Sequence, residues 1–181
     1  MQKVRSWLRV AALAALGLTA SAALSQTVVE QAAEHRFQSD FRVNDAALAK
    51  MLPAGWETVI ATQGPAKDCN LRMIFIDRMA IMGADGKPAQ RPTGRLVYLA
   101  IPVKETATGN SGQIIIHGLT DQAADSPGTF GVYQHATTAK MSRTANAAGA
   151  AMTGSEDWEF VAATGERMER SEEHTSELQS H

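Results

Sequence analysis

The sequence predicts an α+β protein, mainly antiparallel β, with a barrel-like or cone-like sheet and one short N-terminal helix. Three strand-length apolar runs carry this prediction, at residues 71–82, 95–103 and 113–119. None shows the helical stripe of apolar residues at every third or fourth position. In the first run both faces are apolar, with Met73 and Phe75 on one face and Ile74 on the other. Such a strand is covered on both sides, as in a barrel wall.

The composition is that of a globular protein with a hydrophobic core. Hydrophobic residues make up 44% of the 181 residues and charged residues 20%, which separates the chain from disordered sequences. The charge balance is mildly acidic and no Lys/Arg-rich run occurs, which argues against nucleic acid as a partner. The single cysteine, Cys69, cannot form an internal disulfide and is expected to be buried or inert.

Residues 1–22 have the features of a secretory signal peptide. A basic start is followed by a short apolar run and by Ala20-Ser21-Ala22, an A-x-A cleavage signal. The apolar run is shorter than the roughly 20 residues that a membrane helix needs, although an uncleaved anchor is the alternative. We therefore expect a periplasmic or secreted protein that has no membrane contact once the signal is removed.

Residues 170–181 look unlike a natural protein element. They resemble the in-frame translation of a common sequencing-library adapter, and a polar disordered tail is the alternative reading. We therefore expect residues 170–181 to be non-native and residues 27–169 to form a single β-rich domain that is truncated at its C-terminal end.

The N-terminal part of the domain predicts a strand followed by a short helix. Residues 27–36 have weak helical character, and residues 37–43 alternate like a half-buried strand. Asn44 or Asp45 is expected to cap a helix over residues 46–52, because a side-chain oxygen there can accept a free backbone N–H. A proline and a glycine then end the helix and turn the chain.

The run from Phe41 to Glu57, FRVNDAALAKMLPAGWE, resembles the N-terminal strand–helix–Pro segment of the acetoacetate decarboxylase family. In that family an aromatic-Arg pair precedes an Ala-Leu helix, a proline and the strands of a β-barrel. The similarity extends over about residues 37–119 and implies an acetoacetate decarboxylase-like barrel around an apolar pocket. It also implies a lysine that forms a Schiff base with a ketone and a neighbouring lysine that lowers its pKa.

The lysine pair of that family is missing at the matching place. The family motif, aromatic-Pro-Lys-Lys, follows a buried strand, whereas here the strand at residues 113–119 is followed by TDQAADSP. Lys104 is the remaining catalytic candidate, because it ends an apolar strand. The neighbouring Glu105 favours its protonated form, so a solvated strand end is the alternative reading. The family's pocket arginine could correspond to Arg36.

Further strands and turns are predicted along the rest of the chain. Pro102 is expected at a sheet edge or a bulge, because it has no N–H to donate. The remaining predictions are a strand at 56–62, a hairpin turn at Asp85-Gly86, a strand at 130–138, a small helix or loop at 144–154, a strand at 157–163, and a hairpin at Thr164-Gly165 whose return strand is cut off.

Five side chains are candidates for ligand binding: Arg72, Phe75, Tyr98, His117 and Tyr133. An arginine inside a barrel can clamp a carboxylate with two hydrogen bonds, and the aromatic side chains would line a hollow interior. Ordinary core packing is the alternative reading for the aromatic residues.

His117 and His135, with Asp77 or Asp121, have ligand types that suit zinc, but no metal-binding spacing is present. We therefore predict no metal and no cofactor, and a hydrogen-bonded histidine in the barrel wall is the alternative reading. His35 is expected at the surface.

Three functions are compatible with these patterns. The first is an exported protein that binds a small apolar or carboxylate-bearing ligand and lacks the paired Schiff-base lysines. The second is a divergent decarboxylase or other lyase that uses a relocated lysine such as Lys104. The third is an envelope interaction protein with a solid core. The sequence does not predict an oligomeric state.

Overall fold

The computed structural model describes residues 29–122, 132–148 and 151–177. Its elements, in chain order, are β1 (Glu30–Phe41), α1 (Asp45–Ala49), β2 (Trp56–Thr58), β3 (Leu71–Gly83), β4 (Gly94–Glu105), β5 (Ser111–Thr120), β6 (Tyr133–Ala148), β7 (Ala151–Ala162) and β8 (Arg167–Glu177). The predicted signal peptide and the segment 123–131, which includes the start of the strand predicted at 130–138, lie outside these residues. None of the described helices is long and apolar enough to cross a membrane.

The strands form one mainly antiparallel sheet, which confirms the predicted α+β class. Their order is β1-β3-β4-β5-β6-β7-β8, with β2 paired to β4. Only β5 and β6 run parallel, through the pairing of Gly118–Thr120 with Tyr133–His135. In the described residues β1 and β8 each pair with one neighbour, so the expected barrel is not closed.

The two ends of the sheet face each other across the main core. Phe75 of β3 packs against Trp158 and Phe160 of β7, with ring centroids 5.6 and 6.1 Å apart. At the sheet edges, the Arg170 guanidinium of β8 lies 3.0 Å from the centroid of the Phe37 ring of β1. Burying each large side chain of this core contributes about 1.5–3 kcal/mol. The sheet therefore curls into an open, sandwich-like shell.

Strand β3 is apolar on both faces, as its sequence predicted. Phe75 belongs to the main core, whereas Ile74 and Ile76 pack with Leu96 and with Tyr98 on the opposite face. At the turn after β3, Gly86 has a φ of 74°, the positive value that favours glycine in a hairpin turn. The three long apolar runs of the sequence correspond to the strands β3, β4 and β5.

Helix α1 is held by a buried asparagine. Asn44 caps the helix, because its Oδ1 accepts the N–H of Ala47 at 3.2 Å. Asn70 is fully buried, accepts the N–H of Val43 at 2.9 Å and donates to Asp45 at 2.7 Å. Hydrogen bonds from Arg42 and then Asn70 lower the pKa of Asp45 to about 2.

Several predicted elements are wrong in type or extent. Of the stretch with weak helical character, residues 30–36 form the first half of β1, because β3 offers them backbone hydrogen-bond partners. The Ala/Gly-rich stretch at 144–154, predicted as a small helix or loop, contributes instead to the paired strands β6 and β7. The strand predicted at 56–62 is only three residues long.

Two further corrections concern Pro102 and the last hairpin. Pro102 lies inside β4, where the neighbouring strand changes from β3 to β2, and its carbonyl accepts the N–H of Val59 at 2.8 Å. The bulge of β4 lies instead between Leu99 and Ala100. The return strand after Thr164-Gly165 is present as β8, and it includes residues 170–177 of the predicted tail. The origin of those residues stays a prediction.

Candidate functional site

Charged and polar side chains from five strands meet between the two halves of the sheet. We call them the inner polar cluster: His35, Asp77, Arg95, Arg143, Glu156 and Trp158. They share one face of the sheet, because side chains two residues apart on a strand point to the same side. Each of them either is a core side chain or lies two residues from one on its own strand. His35 and Asp77, for example, precede and follow the paired residues Phe37 and Phe75 by two positions.

Glu156 is the buried centre of this cluster. Its carboxylate is 7% exposed, and the indole Nε1 of Trp158 donates to Oε1 at 2.6 Å. The imidazole Nε2 of His35 lies 2.8 Å from Oε2, and Nε of Arg143 lies 3.9 Å from the same oxygen. Burial alone raises the pKa of Glu156, but the hydrogen bonds from Trp158 and His35 together with the nearby positive charges bring it below its ordinary value.

The charge of Glu156 fixes the tautomer of His35. An ionised carboxylate only accepts hydrogen bonds, so Nε2 carries the hydrogen and donates to Glu156. The lone pair of the neutral ring is therefore on Nδ1. The ring also stacks on Trp158, with centroids 6.0 Å apart and planes 9° from parallel. The imidazole is thus held in one orientation and is still 25% exposed.

Arg95 is the second anchor of the cluster. Its Nε donates to Asp77 Oδ1 at 2.8 Å, and its Nη1 donates to the carbonyl of Ala139 at 3.2 Å. Within the described residues Nη2 has no hydrogen-bond partner, and the side chain is 36% exposed. His35, Asp77 and Arg95 occupy paired positions on β1, β3 and β4. Two strand spacings, about 10 Å, therefore separate the backbones of His35 and Arg95.

An open groove of about 710 Å³ adjoins the cluster and shares Arg95 and Trp158 with it. Its other lining residues are Lys140, Met141, Ser142, Asp157, Glu159, Arg167, Glu169, Arg170 and Ser171. Opposite charges along the groove are paired, as between Arg167 and Glu159 at 3.2 Å and between Lys140 and Glu159 at 3.5 Å. Two guanidinium nitrogens that line the groove have no hydrogen-bond partner in the described residues, Nη2 of Arg95 and the buried Nη1 of Arg170.

The structure does not bring the predicted ligand-binding residues together. Phe75 is part of the solid core, and Arg72 lies 3.1 Å from Asp40. Tyr98 and Tyr133 meet edge to face on the opposite side of the sheet, where burial raises the pKa of both phenols. His117 lies 2.5 Å from Glu166, in the turn between β7 and β8. None of these five side chains lines the groove.

Lys104 lies at the exposed end of β4, with Glu57 and Ser111 at the paired positions of the neighbouring strands. The other lysines of the described residues, Lys50, Lys67, Lys87 and Lys140, are exposed as well. His135 is exposed, and the described ranges contain no three His, Cys, Asp or Glu side chains placed to hold a metal ion.

Sequence reasoning missed the inner polar cluster. His35 was expected at the surface, and Glu156 lies 121 residues away from it along the chain. The one local signal is the alternation of Glu156, Trp158 and Phe160, which begins one residue before the strand predicted at 157–163 and would place a carboxylate on the same face as two core aromatic residues. That pattern marks a buried acid, but it does not identify its partner.

Solved structures with a similar arrangement of strands are enzymes. Acetoacetate decarboxylase from Legionella pneumophila is 14% identical, with 74% of this chain and 48% of that chain covered and a TM-score of 0.43. The enduracididine biosynthesis enzyme MppR, complexed with pyruvate, is 13% identical, with 78% and 60% covered and a TM-score of 0.47. An acetoacetate decarboxylase-like enzyme from Sphingomonas wittichii RW1 is 12% identical, with 76% and 59% covered and a TM-score of 0.45.

The chain is similar to parts of these three structures. It spans about half to three-fifths of the length of these structures. No protein-family model matches the chain, and no curated protein matches it.

Proposed function

We propose that this protein binds a small ligand that carries a carboxylate and an apolar body, with Arg95 as the carboxylate anchor. The observation that carries the proposal is the arginine itself. Two of its nitrogens are fixed by Asp77 and by the carbonyl of Ala139, and Nη2 is left as a donor beside the groove. A guanidinium held in this way loses little side-chain freedom when it pairs with a carboxylate.

The surroundings of Arg95 suit such a ligand. Met141 and Trp158 line the same groove and offer apolar contact for the body of the ligand. The neighbouring carboxylates are already engaged, Asp77 with Arg95 and Glu156 with His35 and Trp158. A bound carboxylate therefore meets a donor without a competing free acid in the inner polar cluster.

The exposed lysines favour binding over imine chemistry. A lysine becomes a nucleophile near neutral pH when burial or a neighbouring cation lowers its pKa. Lys104 is exposed and has Glu57 at the paired position of β2. Brief treatment with acetone and borohydride followed by mass spectrometry should modify Lys104 no faster than other exposed lysines such as Lys87, and faster, selective modification of Lys104 would instead support the lyase alternative.

The binding proposal is tested with benzoate and with benzamide, its neutral analogue of similar shape. We expect benzoate to perturb the indole NMR signal of Trp158 and benzamide to do so far less. Arg95→Gln should weaken benzoate binding about tenfold or more, because a hydrogen bond to a charged group contributes about 1.5–3 kcal/mol. Arg95→Lys keeps the charge but loses the planar fork. Its affinity for benzoate should therefore lie between that of the wild-type protein and that of Arg95→Gln.

Arg36→Gln is the matched control, because Arg36 is also on a strand but is 58% exposed and pairs with Glu34 on the outside of β1. It should leave benzoate binding within about twofold, as for most surface charges. Equal binding of benzoate to the wild-type protein and to the Arg95→Gln variant would overturn the proposal.

We further propose that the protein acts after export, with residues 1–22 removed as a signal peptide. Fusing these residues to alkaline phosphatase, which is active only after export, should give phosphatase activity in intact bacteria. Replacing Lys3, Arg5 and Arg9 with glutamate should abolish it, and unchanged activity would contradict the proposal.

A further inference from the structure

We propose that Arg170 is a second anchor of the groove, and that the ligand carries a neutral hydrogen-bond acceptor at the end opposite its carboxylate. The inference rests on the proposed carboxylate binding at Arg95 and adds the chemistry of the far end of the ligand. The observation that carries it is a buried guanidinium nitrogen that has no acceptor. Arg170 is the first residue of the stretch predicted to be non-native, so the inference applies to the chain that carries this residue.

The guanidinium of Arg170 is held in place but is not fully satisfied. Its Nη2 donates to Glu172, and its carbon lies 3.0 Å from the centroid of the Phe37 ring. The side chain is 16% exposed, and Nη1 is buried without a hydrogen-bond partner among the described residues. A buried donor that stays unpaired is costly. An acceptor on a molecule in the groove, which Arg170 lines, would remove that cost.

The two arginines approach one apolar strip from opposite sides. Arg170 of β8 pairs with Trp158 of β7, which in turn pairs with Met141 of β6. The backbones of Arg170 and Met141 are therefore two strand spacings apart, about 10 Å. Arg95 reaches the strip from β4, because it donates to the carbonyl of Ala139, two residues before Met141. A ligand that contacts both arginines thus lies along Met141 and Trp158 and has a polar group at each end.

The charges along the groove favour a neutral group at the second anchor. Four lining residues form ion pairs with one another: Lys140, Arg167, Glu159 and Glu169. Arg95 and Arg170 are each matched by a carboxylate of their own, Asp77 and Glu172. Asp157 adds one negative charge and accepts hydrogen bonds from two serine hydroxyls. These charges leave no surplus cation for a second anion, whereas a neutral acceptor can still bind a guanidinium donor.

The decisive experiment compares 4-acetylbenzoate with 4-isopropylbenzoate, which has a similar shape but no acceptor at its far end. Isothermal titration of the full-length protein should give an affinity about tenfold higher for 4-acetylbenzoate, because a hydrogen bond to a charged donor contributes at least that factor. Terephthalate, which carries a second carboxylate at the far end, should bind no more tightly than 4-acetylbenzoate. The guanidinium NMR signals of Arg170 should shift with 4-acetylbenzoate and far less with 4-isopropylbenzoate.

Two variants of β8 separate Arg170 from a general effect of positive charge. Arg170→Met keeps an unbranched side chain beside Phe37 but has no donor, so the affinities for the two ligands should become nearly equal. Arg167→Met is the matched control, because Arg167 lines the same groove but is 54% exposed and pairs with Glu159. It should keep the affinity ratio of the wild-type protein. That ratio and the NMR signals in the wild-type protein test the proposal even if Arg170→Met fails to fold.

The possible failures are separable. Equal affinities of the wild-type protein for 4-acetylbenzoate and 4-isopropylbenzoate, or a ratio that persists in Arg170→Met, would overturn the second anchor and leave the proposed function standing. Tighter binding of terephthalate than of 4-acetylbenzoate would overturn the neutral character of the second group. Absence of benzoate binding to the wild-type protein would overturn the proposed function and the second anchor with it.

Discussion

Two His–Glu pairs of almost the same chemistry lie in different surroundings. The His35–Glu156 and His117–Glu166 pairs have similarly half-buried imidazoles, 25% and 24% exposed, with Nε2 2.8 and 2.5 Å from the carboxylate. Glu156 is 7% exposed and has a second donor in Trp158, whereas Glu166 is 34% exposed and belongs to a turn.

The difference between the pairs shows what burial adds to a short contact. Glu166 can exchange its histidine for water at little cost, because a half-exposed ion pair contributes about 0–1 kcal/mol. Glu156 cannot, because removing one of its two donors leaves one oxygen of a buried carboxylate without a hydrogen bond. The His117–Glu166 pair is therefore expected to be a surface contact between β5 and the turn, and the His35–Glu156 pair a fixed part of the core.

The largest loss of stability is expected on removing the indole of Trp158, the second donor to Glu156. Trp158→Ala should lower the free energy of unfolding by about 3–5 kcal/mol, as for other large aromatic side chains in a core. Trp158→Phe should cost less, about 1–3 kcal/mol, because the ring remains but the donor to Glu156 is lost. Urea unfolding measures both, and an unchanged free energy of unfolding in Trp158→Phe would show that the hydrogen bond to Glu156 contributes nothing.

Next in size is the effect of neutralising each carboxylate. Glu156→Gln should lower the free energy of unfolding by about 1–3 kcal/mol, because the two donors reach different oxygens and an amide has an NH2 group in place of one of them. Glu166→Gln should lower it by less than about 1 kcal/mol. Equal effects of the two substitutions, measured by chemical denaturation, would remove the distinction between the pairs.

A pH dependence of stability should follow from Glu156. Its folded-state pKa lies below the ordinary value of 4.5, so its contribution to stability is present above that pH. The contribution is lost as the pH falls through the folded-state pKa. Melting temperatures between pH 7 and pH 3 should therefore decrease less steeply for Glu156→Gln than for the wild-type protein, and parallel curves would contradict the assignment.

The smallest expected effect is the response to salt. The coupling energy of His117 and Glu166, from a double-mutant cycle, should fall toward zero when the ionic strength rises from about 0.1 M to about 1 M, because the Debye length shortens from about 10 to about 3 Å. The coupling of His35 and Glu156 should change little, since the carboxylate of Glu156 is only 7% exposed and is shielded from solvent ions. A larger salt effect on the His35–Glu156 pair than on the His117–Glu166 pair would contradict this interpretation.

The sequence was most informative where side chains alone decide the structure. The strand β3 was recognisable because Phe75 and Ile74 bury opposite faces, and the cap Asn44 because its side chain replaces a backbone acceptor. The strand β8 was not, because a backbone ladder accepts a polar sequence such as that of residues 170–177 as readily as an apolar one.

The candidate site was beyond local patterns for a different reason. The contact of His35 with Glu156 depends on the curl of the sheet, which brings β1 over β7. No spacing within either strand records that approach. Arg95 likewise resembles any arginine at the start of a strand, because the groups that fix it, Asp77 and the carbonyl of Ala139, belong to other strands.

The strand β6 has a consequence for the way in which the protein folds and opens. Only Tyr133–His135 pair with β5, and Tyr133 approaches Gly118 so closely that a Cβ there would lie 2.6 Å from its ring. The rest of β6 forms local hairpin contacts with β7, which form quickly, whereas the parallel ladder must close a longer loop. We therefore expect the β6–β8 unit to form and to exchange its amide hydrogens as a cooperative unit distinct from β1–β5.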